Sequence, residues 1–204
     1  MRVLVLGASG KTGAEVVRQG MAAGHEMTAF VRDPNRLKAG SPQLAVKVGD
    51  ARNLADLARA LEGQEAVIST LGSNKAADAL IGKSTEALLE AAVNTGLRRV
   101  VMLSVARNYK PTPFIRLMAR IMAGVVADRW AGEDSLKNSG LDWTIVYAAK
   151  LTDGPKTGRI RIIGAGEIVT FRITVSRADV AEFLLARLTD SEAVGKAFVV
   201  TSQE

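Results

Sequence analysis

Residues 7–13 read Gly7-Ala8-Ser9-Gly10-Lys11-Thr12-Gly13, and they lie between an apolar run, Arg2–Leu6, and a segment of helical spacing that begins at Thr12. Glycines at this spacing permit a tight turn and let backbone N–H groups approach an anion at the start of a helix. Gly10-Lys11-Thr12 also matches the end of a P-loop, but that motif requires glycine where the chain has Val5. The stretch predicts a dinucleotide-binding turn; a glycine turn without a ligand stays open as the alternative.

Short β-branched runs alternate with longer segments of helical spacing along the chain. This alternation is typical of a parallel sheet with helices on both faces, and it predicts an α/β, Rossmann-type doubly wound fold in a single domain over residues 1–204. Strands are predicted at Arg2–Leu6, Met27–Val31, Ala45–Val48, Ala66–Thr70, Val100–Leu103, Thr144–Tyr147 and Ala197–Thr201. Helices are predicted at Thr12–Ala23, Asn53–Leu61, Ala77–Asn94 and Arg177–Leu188.

Two segments depart from this alternation. Residues 113–130 carry apolar side chains at i, i+3, i+4 and i+7, which predicts a helix with a broad apolar face. A core or dimer-interface helix is favoured over a substrate lid and over a membrane-surface helix. Residues 152–173 mix Gly, Pro and Lys with short β-branched runs, and we expect a small irregular C-terminal substrate region with one or two extra strands. The expected substrate side therefore comprises segments of about 105–130 and 150–175.

Composition excludes several classes of function. The chain has no cysteine and one histidine, which excludes disulfides and thiolate chemistry, and we expect no metal site. The net charge of +6 is spread without a basic block, so nucleic acid is not expected as a partner, whereas an anionic small molecule is. No apolar run reaches the roughly 20 residues that span a bilayer, and the N-terminus has no signal-peptide layout. We expect a soluble, cytoplasmic monomer or homodimer with no membrane partner.

The end of the second strand indicates which dinucleotide is bound, and it reads Phe30-Val31-Arg32-Asp33-Pro34-Asn35-Arg36. Sites for NAD usually carry an acid here for the ribose 2′-hydroxyl, whereas sites for NADP need a cation for the 2′-phosphate. Arg32 occupies the place of the acid, Arg36 follows one helical turn later, and a guanidinium suits a phosphate. NADP(H) is therefore favoured; in the alternative, Asp33 binds the ribose and both arginines are surface residues.

Further candidates follow the later strands. Asp50, after the third strand, is placed by the adenine, or else it is a turn or capping acid. Leu71-Gly72 closes the fourth strand and is expected to line the cleft at the carboxyl edge of the sheet. Ser104 ends the fifth strand, where it could hydrogen-bond a nicotinamide carboxamide or a substrate oxygen, or could be an ordinary strand-end serine. Glu133 and Asp134 are expected on a solvated helical face.

The sequence lacks a Tyr-x-x-x-Lys pair, in which a lysine lowers the pKa of a catalytic tyrosine. Tyr109 and Tyr147 are the two tyrosines, and Pro113 and Leu151 stand four residues after them. Any reaction at this site therefore has to proceed without that acid–base pair.

These motifs resemble those of the atypical short-chain dehydrogenases/reductases, which include biliverdin-IX beta reductase/flavin reductase, beside the NmrA-like NADP-binding proteins. The residues that carry the resemblance are Gly7–Gly13, Val31-Arg32-Asp33, Gly49-Asp50, Leu71-Gly72, Ser104, Ser139-Gly140-Leu141 and Leu151-Thr152-Asp153-Gly154-Pro155. They extend over nearly the whole chain and are more specific for fold and cofactor than for substrate.

The resemblance implies a set of NADP(H) contacts. Phosphate contacts are implied for Gly7, Ser9, Gly10, Lys11 and Thr12, with Gly13 completing the turn. The resemblance implies that the 2′-phosphate contacts Arg32 and Arg36 and that the adenine contacts Asp50 and Ala51. It also implies that Leu71, Gly72 and Ser104 lie along the cofactor toward the nicotinamide. Lys150 stands where the animal flavin reductase has a histidine, so carrying over tetrapyrrole specificity is unsafe.

The function expected from these residues is an NADPH-dependent reductase that transfers hydride to a planar conjugated acceptor, such as a flavin, a biliverdin-like tetrapyrrole or a quinone. Ser104 and Lys150 are the expected catalytic residues: Ser104 would orient the nicotinamide or substrate, and Lys150 would contact anionic substrate groups or the nicotinamide side. The alternative is a non-catalytic NADP(H) sensor of the NmrA-like type, and a sugar epimerase or dehydratase is a weaker one.

Overall fold

The computed structural model describes residues 1–37, 42–72, 79–105, 117, 120–164 and 173–203. The strands are β1 (Arg2–Leu6), β2 (Glu26–Val31), β3 (Ala45–Val48), β4 (Ala66–Ser69), β5 (Arg99–Val105), β6 (Asp142–Ala148), β7 (Lys150–Thr152), β8 (Ile160–Ile163), β9 (Thr174–Ser176) and β10 (Lys196–Ser202). The α-helices are α1 (Lys11–Ala22), α2 (Leu54–Leu61), α3 (Leu80–Thr95), α4 (Ala123–Lys137) and α5 (Arg177–Ala186). Short 3₁₀ turns occupy Pro34–Arg36 and Ser191–Ala193.

The central sheet has the order β3-β2-β1-β4-β5-β6-β10-β8. Its described pairs are parallel except that β8 runs antiparallel to β10. The chain builds outward from β1 in one direction and then, from β4, in the other, which leaves a crevice at the carboxyl ends of β1 and β4. The predicted Rossmann-type doubly wound fold is confirmed.

The middle strands are buried because helices cover both sheet faces. Val3–Val5, Ala66–Ile68 and Val100–Val101 have no measurable exposure, as expected for parallel strands that read as continuous apolar runs. Helix α1 packs against α5, whereas α2, α3 and α4 pack in a row. These two helix groups cover opposite faces and leave the carboxyl ends of the strands open for a site.

Arg99 is an arginine with a structural role. Its buried guanidinium donates to the backbone oxygen of Asp142 at 2.6 Å, to Thr144 Oγ1 at 2.7 Å, and to the backbone oxygens of Leu188 and Arg187. It therefore joins β5, β6 and the turn after α5, and part of the basic excess serves the fold and not a ligand.

The start of α5 is fixed by a reciprocal cap between Ser176 and Asp179. The Ser176 hydroxyl accepts from Asp179 N at 3.0 Å and donates to the Asp179 carboxylate at 2.7 Å. The same carboxylate, fully buried, accepts from Thr157 N at 2.7 Å, from Gly158 N at 2.8 Å and from Thr157 Oγ1 at 2.9 Å. Asp179 therefore pins the segment at 157–158 to the helix.

The helix predicted over residues 113–130 is borne out in part. Residues 113–116, 118 and 119 lie outside the described ranges; Leu117, Arg120 and Ile121 are helical, Met122 is in a turn, and α4 then runs from Ala123 to Lys137. Leu117 and Ile121 are 57% and 68% exposed, so the described chain does not bury this part of the apolar face. A core role for these two side chains is therefore wrong, while the dimer-interface, lid and membrane-surface alternatives stay predictions.

The irregular C-terminal region has the predicted character. It contains β8, and β7 and β9 at its two ends form a separate two-stranded parallel sheet; residues 165–172 lie outside the described ranges. Residues 77 and 78 of the predicted third helix also lie outside them, and the helix begins at Leu80. In the part of the chain that the structure describes, no helix has the length and apolar character to cross a bilayer.

Candidate functional site

A cleft of about 570 Å³ opens at the carboxyl ends of β1, β2 and β4. Its walls include the glycine turn, the end of β2, the turn after β3 and the end of β4. The predicted cofactor contacts that line it are Gly7, Ser9, Gly10, Lys11, Thr12, Gly13, Arg32, Arg36, Asp50, Ala51, Leu71 and Gly72. The structure thus brings together residues from four separate loops, and Ser104 is the one predicted contact that is not part of this wall.

The glycine turn is tight enough that side chains would collide in it. Gly7 has a φ of +82°, and a Cβ there would lie 2.9 Å from Thr70 Oγ1. A Cβ on Gly13 would lie 2.2 Å from the carbonyl oxygen of Gly7. Gly10 N donates to that same oxygen at 2.9 Å, which closes the turn. The two glycines are therefore required by the backbone path itself.

Helix α1 begins in the cleft with its first-turn N–H groups available. Gly10 is its N-cap, none of the described side chains caps it, and its first turn has no acidic residue. The first N–H groups of a helix have no partner within the helix and, together with the helix dipole, favour an anion. The local structure therefore suits a phosphate group.

The end of β2 presents two guanidinium groups to the cleft. Arg32 and Arg36 both line it, whereas Asp33 does not. The Asp33 carboxylate instead accepts from Asn35 N at 3.0 Å and caps the 3₁₀ turn at Pro34–Arg36. One oxygen of Asp33 is thus engaged by its own turn, and the choice between a 2′-phosphate and a ribose 2′-hydroxyl stays a prediction.

Asp50 lines the cleft and also holds the turn after β3, whereas its place beside an adenine stays a prediction. Its carboxylate accepts from Arg52 N at 2.9 Å and from the Arg52 guanidinium at 2.6 and 3.0 Å. The hydrogen bond from the Arg52 side chain is the largest cause that lowers the pKa of Asp50 to about 2, and Arg32 contributes at longer range. Asp50 therefore stays ionised at neutral pH while it holds the turn.

Arg177 is a cleft residue that sequence reasoning missed. Among the residues that the structure describes, the charged members of the wall are four basic ones and one acid, namely Lys11, Arg32, Arg36, Arg177 and Asp50. The Ser176-x-x-Asp179 spacing could indicate that a helix starts at Arg177. Its position in the cleft depends on the packing of α5 against α1, which no local pattern indicates.

A buried carboxylate lies between the ends of β5 and β6. Ser104 and Tyr147 are register partners on these strands; Ser104 Oγ donates to Glu133 Oε1 at 2.5 Å, and Tyr147 Oη donates to Glu133 Oε2 at 2.7 Å. Glu133 has no measurable exposure, so the expectation of a solvated face is wrong for it, although Asp134 is exposed as expected. Glu133 is the second functional candidate that the sequence did not reveal.

Helix α4 also directs a cation toward the cleft. Its Asp128 carboxylate accepts from Ile81 N and Gly82 N, both at 2.9 Å, which ties α4 to the start of α3. The next residue, Arg129, brings Nη2 to 4.0 Å from where a Cβ on Gly72 would stand. Burial lowers the pKa of Arg129, and the charges of Glu133 and Asp128 oppose this effect. Arg129 thus lies between the cofactor cleft and the Ser104–Glu133–Tyr147 cluster.

Lys150 is less closely associated with the cleft. It is exposed on β7, opposite Thr174 of β9, and it is not part of the described cleft wall. Ser104, the other expected catalytic residue, is 2% exposed. The catalytic roles of both residues stay predictions.

Solved structures with the same architecture include two reductase-type proteins. ChuY, an anaerobillin reductase from Escherichia coli O157:H7, superposes with a TM-score of 0.83 at 21% identity over 100% of this chain and 98% of that chain. A wide-type short-chain dehydrogenase/reductase from Veillonella parvula in complex with NADP superposes with a TM-score of 0.78 at 18% identity, over 98% of this chain and 93% of that chain. At these identities the likeness shows the fold.

Curated relatives match over differing lengths. The isoflavone reductase homolog IRL of Zea mays is 24% identical over 98% of this chain and 68% of its own. A 3-beta-hydroxysteroid dehydrogenase of Mycolicibacterium neoaurum is 42% identical, but over 34% of this chain and 19% of its own length. Residues 7–191 match the sequence model described as NAD(P)H-binding, from the glycine turn to beyond α5, and the chain belongs to this NAD(P)H-binding family.

Proposed function

We propose that the protein is an NADPH-dependent reductase that transfers hydride to a planar, conjugated acceptor, such as a flavin, a linear tetrapyrrole or a quinone. The observation that supports NADPH over NADH is the pair Arg32 and Arg36 on the cleft wall. The neighbouring Asp33 carboxylate accepts a hydrogen bond from Asn35 N within its own turn. Two guanidinium groups beside the end of β2 suit a 2′-phosphate and would leave a 2′-hydroxyl poorly matched.

The residues present fit a phosphorylated dinucleotide. The glycines let the backbone turn tightly beside the cleft, the first turn of α1 offers free N–H groups, and among the described residues four of the five charged side chains on the wall are basic. Bound NADPH would supply the hydride. The chain's own contribution is to bind the phosphates, to orient both reactants and to exclude water.

The absence of a Tyr-x-x-x-Lys pair is consistent with an acceptor that needs little acid–base help. A conjugated acceptor takes hydride readily, so proximity and orientation account for most of the acceleration, and the proton comes from solvent. Glu133 acts as a positioning residue, because its carboxylate holds the hydroxyls of Ser104 and Tyr147. Each hydroxyl donates to Glu133 and therefore presents lone pairs, so Ser104 would accept from a donor such as a carboxamide N–H.

Lys150 is proposed to meet anionic groups of the acceptor. It is exposed on β7, on the segment that leaves the carboxyl end of β6. The relatives add support for reductase chemistry, since they include an anaerobillin reductase and an isoflavone reductase homolog. The NADP complex of the Veillonella parvula protein adds support for the cofactor.

The test is an assay of NADPH consumption. Purified protein is mixed with NADPH and one acceptor at a time, FMN, biliverdin or a quinone, and the nicotinamide absorbance is followed. We expect acceptor-dependent loss of NADPH, which Lys150→Ala slows most with an anionic acceptor. Tight NADPH binding without consumption by any acceptor would refute the reductase.

A second candidate is a non-catalytic NADP(H) sensor. The observation that favours it is that both hydroxyls at the edge of β5 and β6 already donate to Glu133, which leaves the described cluster without a hydroxyl ready to protonate a substrate. In that case NADPH and NADP⁺ should bind with different affinities and should alter protection of the exposed segment around Ile121 in hydrogen exchange. Both candidates are proposed to act in the cytoplasm as a monomer or homodimer.

A further inference from the structure

Two cations of the cleft wall are joined by one carboxylate. Lys11 Nζ lies 2.5 Å from Asp153 Oδ2, and Arg177 Nη1 lies 2.5 Å from Asp153 Oδ1. Lys11 begins α1 and Arg177 begins α5, so the contact spans the two helices on this face of the sheet. Both cations line the cleft, whereas Asp153 does not.

The bridging geometry indicates what these cations can bind. A single carboxylate uses one oxygen for each cation, so the two nitrogens are already spaced for neighbouring oxygens of one anion. Phosphate groups present oxygens in the same way, and guanidinium and ammonium groups bind them well. Lys11 is also the first residue of α1, where the free N–H groups favour the same anion.

Asp153 is bound in a way that permits its release. Its side chain is 58% exposed, and residues 153–159 form neither helix nor strand. Ion pairs at such exposure contribute little to stability because water solvates the separated charges. The carboxylate can therefore leave both cations and be solvated at small cost.

We propose that Lys11 and Arg177 bind the diphosphate of the dinucleotide, and that this diphosphate displaces the Asp153 carboxylate from them. The proposal deepens the proposed function and rests on it, since it adds Arg177 of α5 to the diphosphate contacts of the glycine turn and names Asp153 as the competing anion. Asp153 neutralises one of the two positive charges before binding, so it sets the affinity for the cofactor.

The experiment measures NADP⁺ binding by titration calorimetry at low ionic strength, because NADP⁺ binding involves no turnover. Asp153→Asn removes the competing charge and should tighten NADP⁺ binding about threefold to fivefold, the size expected for loss of an exposed ion-pairing competitor. Arg177→Gln should weaken binding at least about fivefold, and Arg177→Lys should restore part of it. The tightening should shrink at high ionic strength because salt screens exposed charges.

Asp134→Asn is the matched control, because it changes the net charge equally at an exposed residue outside the cleft wall. Its NADP⁺ affinity should stay within about twofold of that of the unaltered protein, since Asp134 does not line the cleft and its exposed charge is screened by salt. Thermal melting confirms that each variant is folded.

Two outcomes separate the inference from the proposed function. If Asp153→Asn binds NADP⁺ equally or more weakly while the unaltered protein binds it well, Asp153 organises the cations and the displacement is wrong. If the unaltered protein binds no NADP⁺, the cofactor assignment fails instead. Inorganic pyrophosphate is then the second probe. If pyrophosphate binds, requires Arg177 and binds more tightly to Asp153→Asn, the diphosphate site is supported without the cofactor assignment. If pyrophosphate does not bind, the diphosphate site is wrong as well.

Discussion

Replacing Tyr147 by phenylalanine removes one of the two hydroxyls that donate to the buried Glu133 carboxylate at the end of β6. The ring stays, so the packing volume is almost unchanged, and the hydrogen bond to Glu133 is lost. A hydrogen bond to a charged group contributes about 1.5–3 kcal/mol, and Tyr147 is 8% exposed, which leaves little access for a replacing water. We expect the free energy of unfolding to fall by about 2 kcal/mol, which lowers Tm by roughly 4–8 °C for a chain of this length.

The assay is urea denaturation followed by circular dichroism, with an unchanged slope against urea as the check that the unfolded state is the same. Glu133→Gln supplies the matched background: without the charge, the same tyrosine substitution should cost only about 1 kcal/mol, because neutral hydrogen bonds are about half as strong. The difference is a coupling energy measured by a double-mutant cycle. A loss below about 0.5 kcal/mol in the unaltered background would refute the argument that this carboxylate is held by the hydroxyls.

Three further predictions concern the cleft. Arg32→Glu should weaken NADPH binding at least about tenfold more than NADH binding, measured by fluorescence titration; equal weakening of both cofactors would contradict a 2′-phosphate contact. Gly13→Ala places a Cβ 2.2 Å from the carbonyl oxygen of Gly7, so we expect the free energy of unfolding measured by urea denaturation to fall by about 1–3 kcal/mol. The same substitution should weaken NADP⁺ binding. Gly154→Ala, whose Cβ would meet its neighbours at an ordinary 3.7 Å, should leave stability nearly unchanged. Asp50 has a pKa of about 2, lowered from 3.8, so the stability it adds is fully present above the unfolded value and is lost as pH falls through about 2; Asp50→Asn should flatten that part of the acid denaturation curve.

The fold could be predicted because its signals are local. The turn Gly7–Gly13 directly follows β1, and the strands are apolar runs of the kind that a doubly wound sheet buries on both faces. Arg32 could be predicted as a cleft residue for the same reason, because the end of β2 lies beside the end of β1 wherever this topology occurs.

The remaining parts of the site depend on contacts between distant segments. Glu133 has a charged neighbour, Asp134, on a helix whose exposed side includes Trp130, so its own sequence surroundings indicate a solvated position. Its hydrogen-bond partners include the hydroxyls of Ser104 and Tyr147, which are 29 and 14 residues away in the sequence. Arg177 was not predicted as a cleft residue for a similar reason, since its place in the cleft comes from the packing of α5 on α1.

The attachment of Thr157 and Gly158 to Asp179 limits how Asp153 can move. The segment that carries Asp153 is fastened at one end by β7, which stops at Thr152, and at the other by this buried carboxylate. Its motion is therefore the swing of a short, doubly anchored loop, on a timescale of nanoseconds to microseconds, and needs no hinge between rigid bodies. Dinucleotide association in stopped flow should accordingly show a single phase whose rate rises linearly with concentration, without the slow, saturating step that closure of a larger element would add.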